Sequence, residues 1–129
     1  MIRQRLSGVI LALALLPLAV LAADASGISG TWTASIDTQV GKQDYTYTFV
    51  AKGSQLTGRA KSANGDTEIT EGKIDGSKVS FVENLNYQGM PLRIAYTGTV
   101  KSADVIDFTR DVAGQAMETF TAKRTASGG

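Results

Sequence analysis

Apolar and polar residues alternate along most of the chain between Ile28 and Arg124. Such alternation predicts β-strands with one buried face, and clusters of turn residues divide it into eight runs. Beyond the N-terminal apolar run, no segment shows helical periodicity. The inward-facing positions of the eight runs are Trp32, Ala34 and Ile36; Tyr45, Tyr47 and Phe49; Leu56, Gly58 and Ala60; Ile69 and Ile74; Val79 and Phe81; Leu92, Ile94 and Tyr96; Ile106 and Phe108; and Phe120 and Ala122.

Two turn sequences set the expected register in the first half. Lys52-Gly53 and Asn64-Gly65 are both suited to two-residue hairpin turns, the second because both of its residues tolerate positive φ. Such turns place Phe49 opposite Leu56, Tyr47 opposite Gly58 and Ala60 opposite Ile69.

Gly76-Ser77 is the third expected tight turn, and it pairs Ile74 with Val79. Ile69 and Ile74 differ in parity, so one extra residue must be absorbed between them. Gly72 is the natural position for that β-bulge.

The last hairpin is expected to contain a three-residue loop around Gly114, which pairs Phe108 with Phe120. A slip of one residue would bury Thr119 instead, so the hydrophobic pattern selects the first register. Eight consecutive strands leave exposed edges unless the first pairs with the last. The predicted fold is therefore an all-β, eight-stranded, up-and-down antiparallel β-barrel.

The domain boundaries follow from the ends of this pattern. Residues 23–129 are expected to form a single barrel domain with an ordered core at about 28–124. Thr38–Lys42 and Asn84–Pro91 are expected to be the sizeable loops, and Thr125–Gly129 a disordered tail.

Residues 1–22 are expected to be a cleavable signal peptide. Arg3 and Arg5 precede the apolar run Val9–Leu16, and Val20-Leu21-Ala22 supplies small residues at a cleavage site. Ala23-Asp24-Ala25 is an alternative site, and the apolar run is too short for a comfortable membrane span. The predicted location is secreted or periplasmic.

Charge and composition narrow the function classes. Removing Arg3 and Arg5 leaves eleven basic and twelve acidic residues, which changes the formal charge from +1 to −1. This balance argues against nucleic-acid or anionic-membrane partners. The chain contains no His and no Cys, which excludes Ser-His and Cys-His catalysis and removes the usual ligands of zinc, copper and haem. We therefore expect no metal and no cofactor and assign no catalytic residue, although a pair of carboxylates, or a Tyr with an Arg, is what remains for catalysis.

The expected register brings five polar or aromatic residues to one end of the barrel, and they form the candidate ligand-binding site. Glu83 and Arg110 close odd-numbered strands, whereas Tyr45 and Glu118 open even-numbered ones. Tyr96 pairs with Arg110, and Glu118 lies opposite Arg110. Two simpler interpretations stay open: Arg110 and Glu118 form a rim pair in water, and the tyrosines only pack the core with their hydroxyls in solvent.

Three functions are compatible with this arrangement. The leading hypothesis is a non-enzymatic barrel that binds a small amphipathic or sugar-like ligand in its open end. The second is a protein-binding module, such as an inhibitor of an exported hydrolase, acting through Asn84–Pro91 or the segment before Ile28. The third is a carbohydrate-active enzyme that uses Glu83 and Glu118 as an acid–base pair.

The two ends of the domain resemble the calycin pattern of lipocalins and avidins. Gly30-Thr31-Trp32 opens the first strand, and Arg124 follows Phe120 and Ala122 in the last strand with the same parity. The resemblance implies a structural role for Gly30, Trp32 and Arg124, with the basic side chain covering the indole. The chain is also similar to small secreted bacterial domains in the segments Leu56-Thr57-Gly58, Asp75-Gly76 with Phe81, and Tyr96-Thr97-Gly98-Thr99.

Overall fold

Residues 24–125 form a closed barrel of eight antiparallel strands in the computed structural model, which describes this part of the chain. Each strand pairs with its neighbours in sequence, and the first strand closes the barrel by pairing with the last. The predicted all-β, up-and-down barrel is confirmed. The strands are β1 (Gly30–Thr38), β2 (Gly41–Lys52), β3 (Gln55–Ser62), β4 (Gly65–Asp75), β5 (Lys78–Tyr87), β6 (Met90–Ser102), β7 (Val105–Val112) and β8 (Ala116–Arg124).

The second half of the barrel has the predicted register. Ile74 pairs with Val79 across the turn between β4 and β5, and Phe108 pairs with Phe120 across the loop between β7 and β8. These pairings keep the apolar face of each strand inside the barrel.

The predicted bulge in β4 is also present, because the β4–β5 register shifts between Thr70 and Lys73. Glu71 has φ 55° there. A Cβ on Gly72 would lie 1.9 Å from the carbonyl oxygen of Leu56, so the close approach of β3 requires glycine at this position.

The turns between β2, β3 and β4 lie elsewhere than predicted, and each register differs by two residues. Phe49 pairs with Gly58 rather than Leu56, and Tyr47 pairs with Ala60 rather than Gly58. Ala60 pairs with Thr67 rather than Ile69. The predicted pairings are wrong, but a shift of two preserves the face on which each side chain lies.

Both loops predicted as long are tight turns. Strands β1 and β2 leave only residues 39–40 between them, and strands β5 and β6 leave only residues 88–89. Extended pairing continues as far as Tyr87 opposite Met90, so the predicted Asn84–Pro91 loop is wrong. Gln88 and Gly89 both have positive φ, which matches a tight hairpin turn.

The barrel end near Trp32, here called the closed end, is sealed by the residues that precede β1. A short 3-10 helix, Ala25–Gly27, leads into this end, and Ala25 and Ile28 are buried. The indole Nε1 of Trp32 donates a hydrogen bond to the carbonyl oxygen of Ile28 at 2.9 Å. The expectation that the ordered core starts at Ile28, leaving a projecting segment before it, is wrong because these residues are part of the seal.

Arg124 covers Trp32 as the sequence pattern implies. The Arg124 guanidinium carbon lies 4.6 Å from the centre of the Trp32 ring. Its nitrogens donate hydrogen bonds to the carbonyl oxygens of Gly27, Ser29 and Ala103. The side chain therefore joins β8 to the segment before β1.

The predictions for the two ends of the chain fall partly inside and partly outside the described residues. Thr125 is not a free tail residue, because its amide and its hydroxyl both donate hydrogen bonds to the carbonyl oxygen of Thr31. The predicted signal peptide, 1–22, and the rest of the predicted tail, 126–129, lie outside the described residues. Residues 24–125 contain no helix with the length and apolar character needed to cross a membrane.

Candidate functional site

A cavity of about 230 Å³ lies at the barrel end opposite the closed end, here called the open end. It is bounded by the β1–β2 and β3–β4 turns on one side and by strands β5 to β8 on the other. Its polar lining residues are Thr38, Gln39, Gln43, Tyr45, Asn64, Tyr87, Arg110, Gln115 and Glu118, and its apolar lining residues are Val40, Leu85, Leu92, Ile94, Val112 and Ala116.

The strand directions explain why charged residues meet here. In an up-and-down barrel, odd-numbered strands end where even-numbered strands begin. Arg110 near the end of β7 therefore lies directly opposite Glu118 near the start of β8, and Tyr96 on β6 lies on the other side of Arg110. The predicted pairing of these three residues is confirmed.

Glu83 lies below the cavity and is buried, with 1% of its surface exposed. Its two carboxyl oxygens accept hydrogen bonds from Tyr96 at 2.7 Å and from Tyr45 at 3.2 Å. A buried carboxylate requires such donors, because water cannot reach it.

The hydroxyl of Tyr96 connects this carboxylate to the rest of the buried polar group. It accepts hydrogen bonds from Tyr47 at 3.0 Å and from Arg110 Nη1 at 2.9 Å, while it donates to Glu83. The alternative in which the tyrosine hydroxyls reach solvent is therefore wrong, because these three tyrosines bond within the barrel.

Arg110 and Glu118 form an ion pair that is removed from water. Arg110 Nε donates to Glu118 Oε1 at 2.7 Å, and the two side chains are only 5% and 10% exposed. The guanidinium also lies over the rings of Tyr45 and Tyr96, at 5.2 and 5.7 Å from their centres. The alternative of a solvated rim pair is wrong, because strands β6 to β8 and the tyrosines enclose both groups.

Burial and the neighbouring charges act on the pKa values in opposite directions. Burial raises the pKa of Glu83, against the hydrogen bond from Tyr96, the positive charge of Arg110 and the hydrogen bond from Tyr45. Burial opposes the charge on Arg110, but the oxygens of Tyr96, Tyr45 and Glu118 outweigh it and raise the pKa of Arg110. Burial also raises the pKa of all three tyrosines, so each keeps its proton.

The structure brings all five predicted site residues together, but at two depths. Tyr45, Arg110 and Glu118 line the cavity, whereas Glu83 and Tyr96 lie beneath it. A molecule in the cavity therefore meets Arg110 and Glu118 directly and Glu83 only through Tyr45 and the guanidinium.

Sequence reasoning missed several lining residues because they lie in turns or near strand ends. Gln43 and Asn64 are joined by a hydrogen bond of 3.2 Å from Asn64 Nδ2 to Gln43 Oε1. Gln43 has the same parity as Tyr45, and Leu85 has the same parity as Glu83. Extending the two inward faces by one step toward the open end would have identified both.

A larger concavity of about 1000 Å³ lies on the outside of strands β4 to β8. Its lining is rich in outward-facing threonines, including Thr97, Thr109 and Thr119, which lie opposite one another across three strands. This surface holds no buried ion pair, so the smaller interior cavity is the better candidate site.

The site offers little for metal or acid–base chemistry. Residues 24–125 contain no cluster of three or more carboxylate, His or Cys side chains suited to a metal ion. Glu83 is not among the residues that line the cavity beside Glu118, and its carboxyl group is bonded to Tyr45 and Tyr96.

No family model and no curated protein matches the sequence. Solved structures do match the fold. One similar structure is that of EF1p2_mFAP2b bound to DFHBI, with a TM-score of 0.59 and 12% identity over 81% of this chain and 99% of the other.

Two redesigned β-barrels also match the fold. The barrel b11L5F_LGL has a TM-score of 0.58 and 15% identity over 81% of this chain and 97% of the other. The barrel mFAP1 bound to DFHBI has a TM-score of 0.55 and 15% identity over 80% of this chain and 100% of the other. At these identities the similarity shows a shared small-barrel fold.

Proposed function

We propose that this chain is an exported, non-enzymatic barrel that binds a small molecule in the open-end cavity. The observation that carries the proposal is the ion pair of Arg110 and Glu118, which lines an interior space instead of being packed over. Burying an ion pair costs several kcal/mol in desolvation. A barrel that needed only stability would be served as well by apolar residues, as at the closed end.

The cavity also has the mixed lining of a ligand site. Polar groups from the β1–β2 and β3–β4 turns face an apolar wall formed by strands β5 to β8. Ligand sites in proteins combine such apolar walls with a few placed polar groups. The volume corresponds to about seven or eight water molecules, so the ligand is small.

The comparisons support the same class of function. The structures of EF1p2_mFAP2b and mFAP1, which share the fold, are both bound to DFHBI, and this supports ligand binding by the present barrel. The contact between Arg124 and Trp32 supports the resemblance to calycins, the group that includes lipocalins and avidins. The leader features of residues 1–22 support export to the periplasm or the medium.

Native mass spectrometry of the protein purified from its own source tests the proposal. We expect a fraction of the protein to carry a small molecule that dissociates on collisional activation. Ala116→Phe should abolish this adduct, because Ala116 lines the cavity and the larger side chain fills it. Met117→Phe is the matched control, since Met117 is 66% exposed on the outer face. Equal adducts in both variants, or none in wild type, would contradict the proposal.

A protein-binding role is the second candidate, and one observation favours it. Val40 and Met90 lie in or beside turns of the open end and are 65% and 66% exposed. Two exposed apolar side chains on one rim suit a partner that covers the cavity. The test is a pull-down with wild type and with Val40→Ser/Met90→Ser; a stoichiometric partner lost only in the double variant would favour this role.

A further inference from the structure

The hydrogen bonds of the Arg110–Glu118 pair leave several guanidinium N–H donors and one carboxylate oxygen without a partner. Arg110 uses Nε toward Glu118 Oε1 and Nη1 toward Tyr96. The direct hydrogen bonds of the pair within residues 24–125 do not include Glu118 Oε2, and even with Tyr45 counted as a further acceptor the guanidinium keeps at least two of its five N–H groups for a ligand. Both side chains are at least nine-tenths buried, and both line the cavity. Buried polar atoms need partners, so a ligand that enters the cavity is favoured when it supplies them in place of water.

The pair therefore offers a ligand both N–H donors and a carboxylate acceptor. Arg110 and Glu118 lie directly opposite each other on β7 and β8, which places their head groups in one layer of the barrel. Nη2 carries two N–H donors, whereas a carboxylate oxygen only accepts. The complementary ligand edge has an acceptor next to a donor.

The charges of the site favour a neutral ligand. The positive and negative groups that line the cavity already neutralise each other. An anionic ligand would bring its charge against Glu118, and a cationic ligand would bring its charge against Arg110. Either would also lose its hydration in a space with an apolar wall.

The apolar wall of the cavity determines the character of the part of the ligand that lies away from the ion pair. Leu85, Leu92, Ile94, Val112 and Ala116 come from strands β5 to β8 and lie beside the ion pair. A ligand with its polar edge on Arg110 and Glu118 thus places an apolar or aromatic body against these residues.

We infer that the cavity selects a small neutral molecule whose carbonyl acceptor stands beside an N–H donor, as in a primary amide or a lactam, on an apolar body. The inference rests on the proposed function and names the ligand class of the same site. The carbonyl oxygen accepts from Arg110 Nη2, and the N–H donates to Glu118 Oε2.

Four probes of matched shape test the inference: benzamide, benzoate, benzamidine and toluene. They share one ring and differ in whether they offer an acceptor with a donor, acceptors alone, donors alone or neither. Titrations of the purified protein followed by amide and arginine side-chain NMR give both affinity and location. Benzamide is expected to bind at least about tenfold more tightly than each other probe, with shifts centred on Arg110 and Glu118.

Glu118→Gln changes the acceptor without removing the partner of Arg110 Nε. The glutamine amide donates an N–H at the position where the Glu118 carboxylate repels an anion. The ratio of benzoate to benzamide affinity should therefore rise about tenfold or more. Glu68→Gln is the control, because Glu68 is exposed on β4, and it should leave the ratio unchanged. An unchanged ratio in Glu118→Gln would contradict the inference.

The outcomes separate this inference from the proposed function. Binding at the cavity with benzoate, benzamidine or toluene equal to or tighter than benzamide overturns the ligand class and leaves a ligand-binding barrel. Absence of shifts at Tyr45, Leu92, Arg110 and Glu118 with all four probes contradicts small-molecule binding itself. The ranking of the four probe affinities is measured on the wild-type protein alone, so the inference can still be tested if Glu118→Gln does not fold.

Discussion

At the scale of single residues, Trp32 and Arg124 show what a family resemblance supported by parity can predict. Arg124 shares the inward parity of Phe120 and Ala122, and the structure places its guanidinium over the indole. The three carbonyl contacts of Arg124 were beyond prediction, because they depend on the path of the backbone before β1 and at the β6–β7 turn.

Truncating these two side chains should have graded effects on stability. Trp32→Ala should lower the free energy of unfolding by about 3–5 kcal/mol, because the indole is fully buried. Arg124→Ala should cost less, with about 0.5–2 kcal/mol from the cation–π contact and more from the lost hydrogen bonds. Arg124→Lys should recover only part, since an ammonium cannot bond three carbonyls in a plane. Denaturant unfolding measures all three, and an Arg124→Ala protein as stable as wild type would contradict the role of Arg124.

Glu83 should give the stability a characteristic pH dependence. Its pKa is raised above the ordinary 4.5, so the folded protein holds this proton more tightly than the unfolded chain does. The stability of wild type minus that of Glu83→Gln should therefore fall as the pH rises through the ordinary value to the raised pKa, and then stay constant.

Glu71→Gln provides a control of opposite sign. The hydrogen bond from Arg93 and the charge of Arg93 lower the pKa of Glu71, so its contribution is present above the ordinary value and lost as the pH falls. The difference between wild type and this variant should rise with pH. Urea unfolding at a series of pH values measures both, and a Glu83 difference that rises with pH would contradict the buried-carboxylate account.

At the scale of strands and turns, glycine position decides where sequence reasoning succeeded. The turns Gly53-Ser54 and Gly76-Ser77 both start with glycine at φ 61°. The sequence prediction placed glycine first in the turn at Gly76-Ser77 but second in the turn at Lys52-Gly53. Placing glycine first in both turns would have predicted both correctly. In the β3–β4 hairpin the central residues are Ala63-Asn64 and Gly65 follows them, a choice that local sequence does not determine.

Gly98 offers a test of packing between strands. A Cβ at this position would lie 2.6 Å from two ring carbons of Phe108. Gly98→Ala should therefore destabilise the barrel by about 1–3 kcal/mol through overpacking. Gly27→Ala is the matched control, because its Cβ meets nothing within 4 Å, and its effect should stay within about 0.5 kcal/mol. Thermal and denaturant unfolding of both variants measure these changes in stability. Equal stability of Gly98→Ala and wild type would contradict the close packing of Gly98 against Phe108.

At the scale of the whole molecule, the barrel could be predicted and its hollow end could not. Alternation, turn residues and the need to pair edge strands together determine eight closed strands. Whether an eight-stranded barrel is filled depends on how far each inward side chain reaches, which parity does not show. Glu83 and Tyr96 share the inward face with Arg110, but only Arg110 reaches the cavity, because Tyr96 bonds Glu83 below it.

A crystal structure of the protein grown with benzamide would locate the ligand site directly. We predict the probe inside the open end, with its carbonyl oxygen within hydrogen-bond distance of Arg110 Nη2, its amide nitrogen near Glu118 Oε2 and its ring against Leu92 and Ile94. The Arg110–Glu118 ion pair should stay in place. A structure in which Leu85, Tyr87 and Leu92 close over the ion pair and fill the space, with no probe inside the barrel, would contradict this prediction.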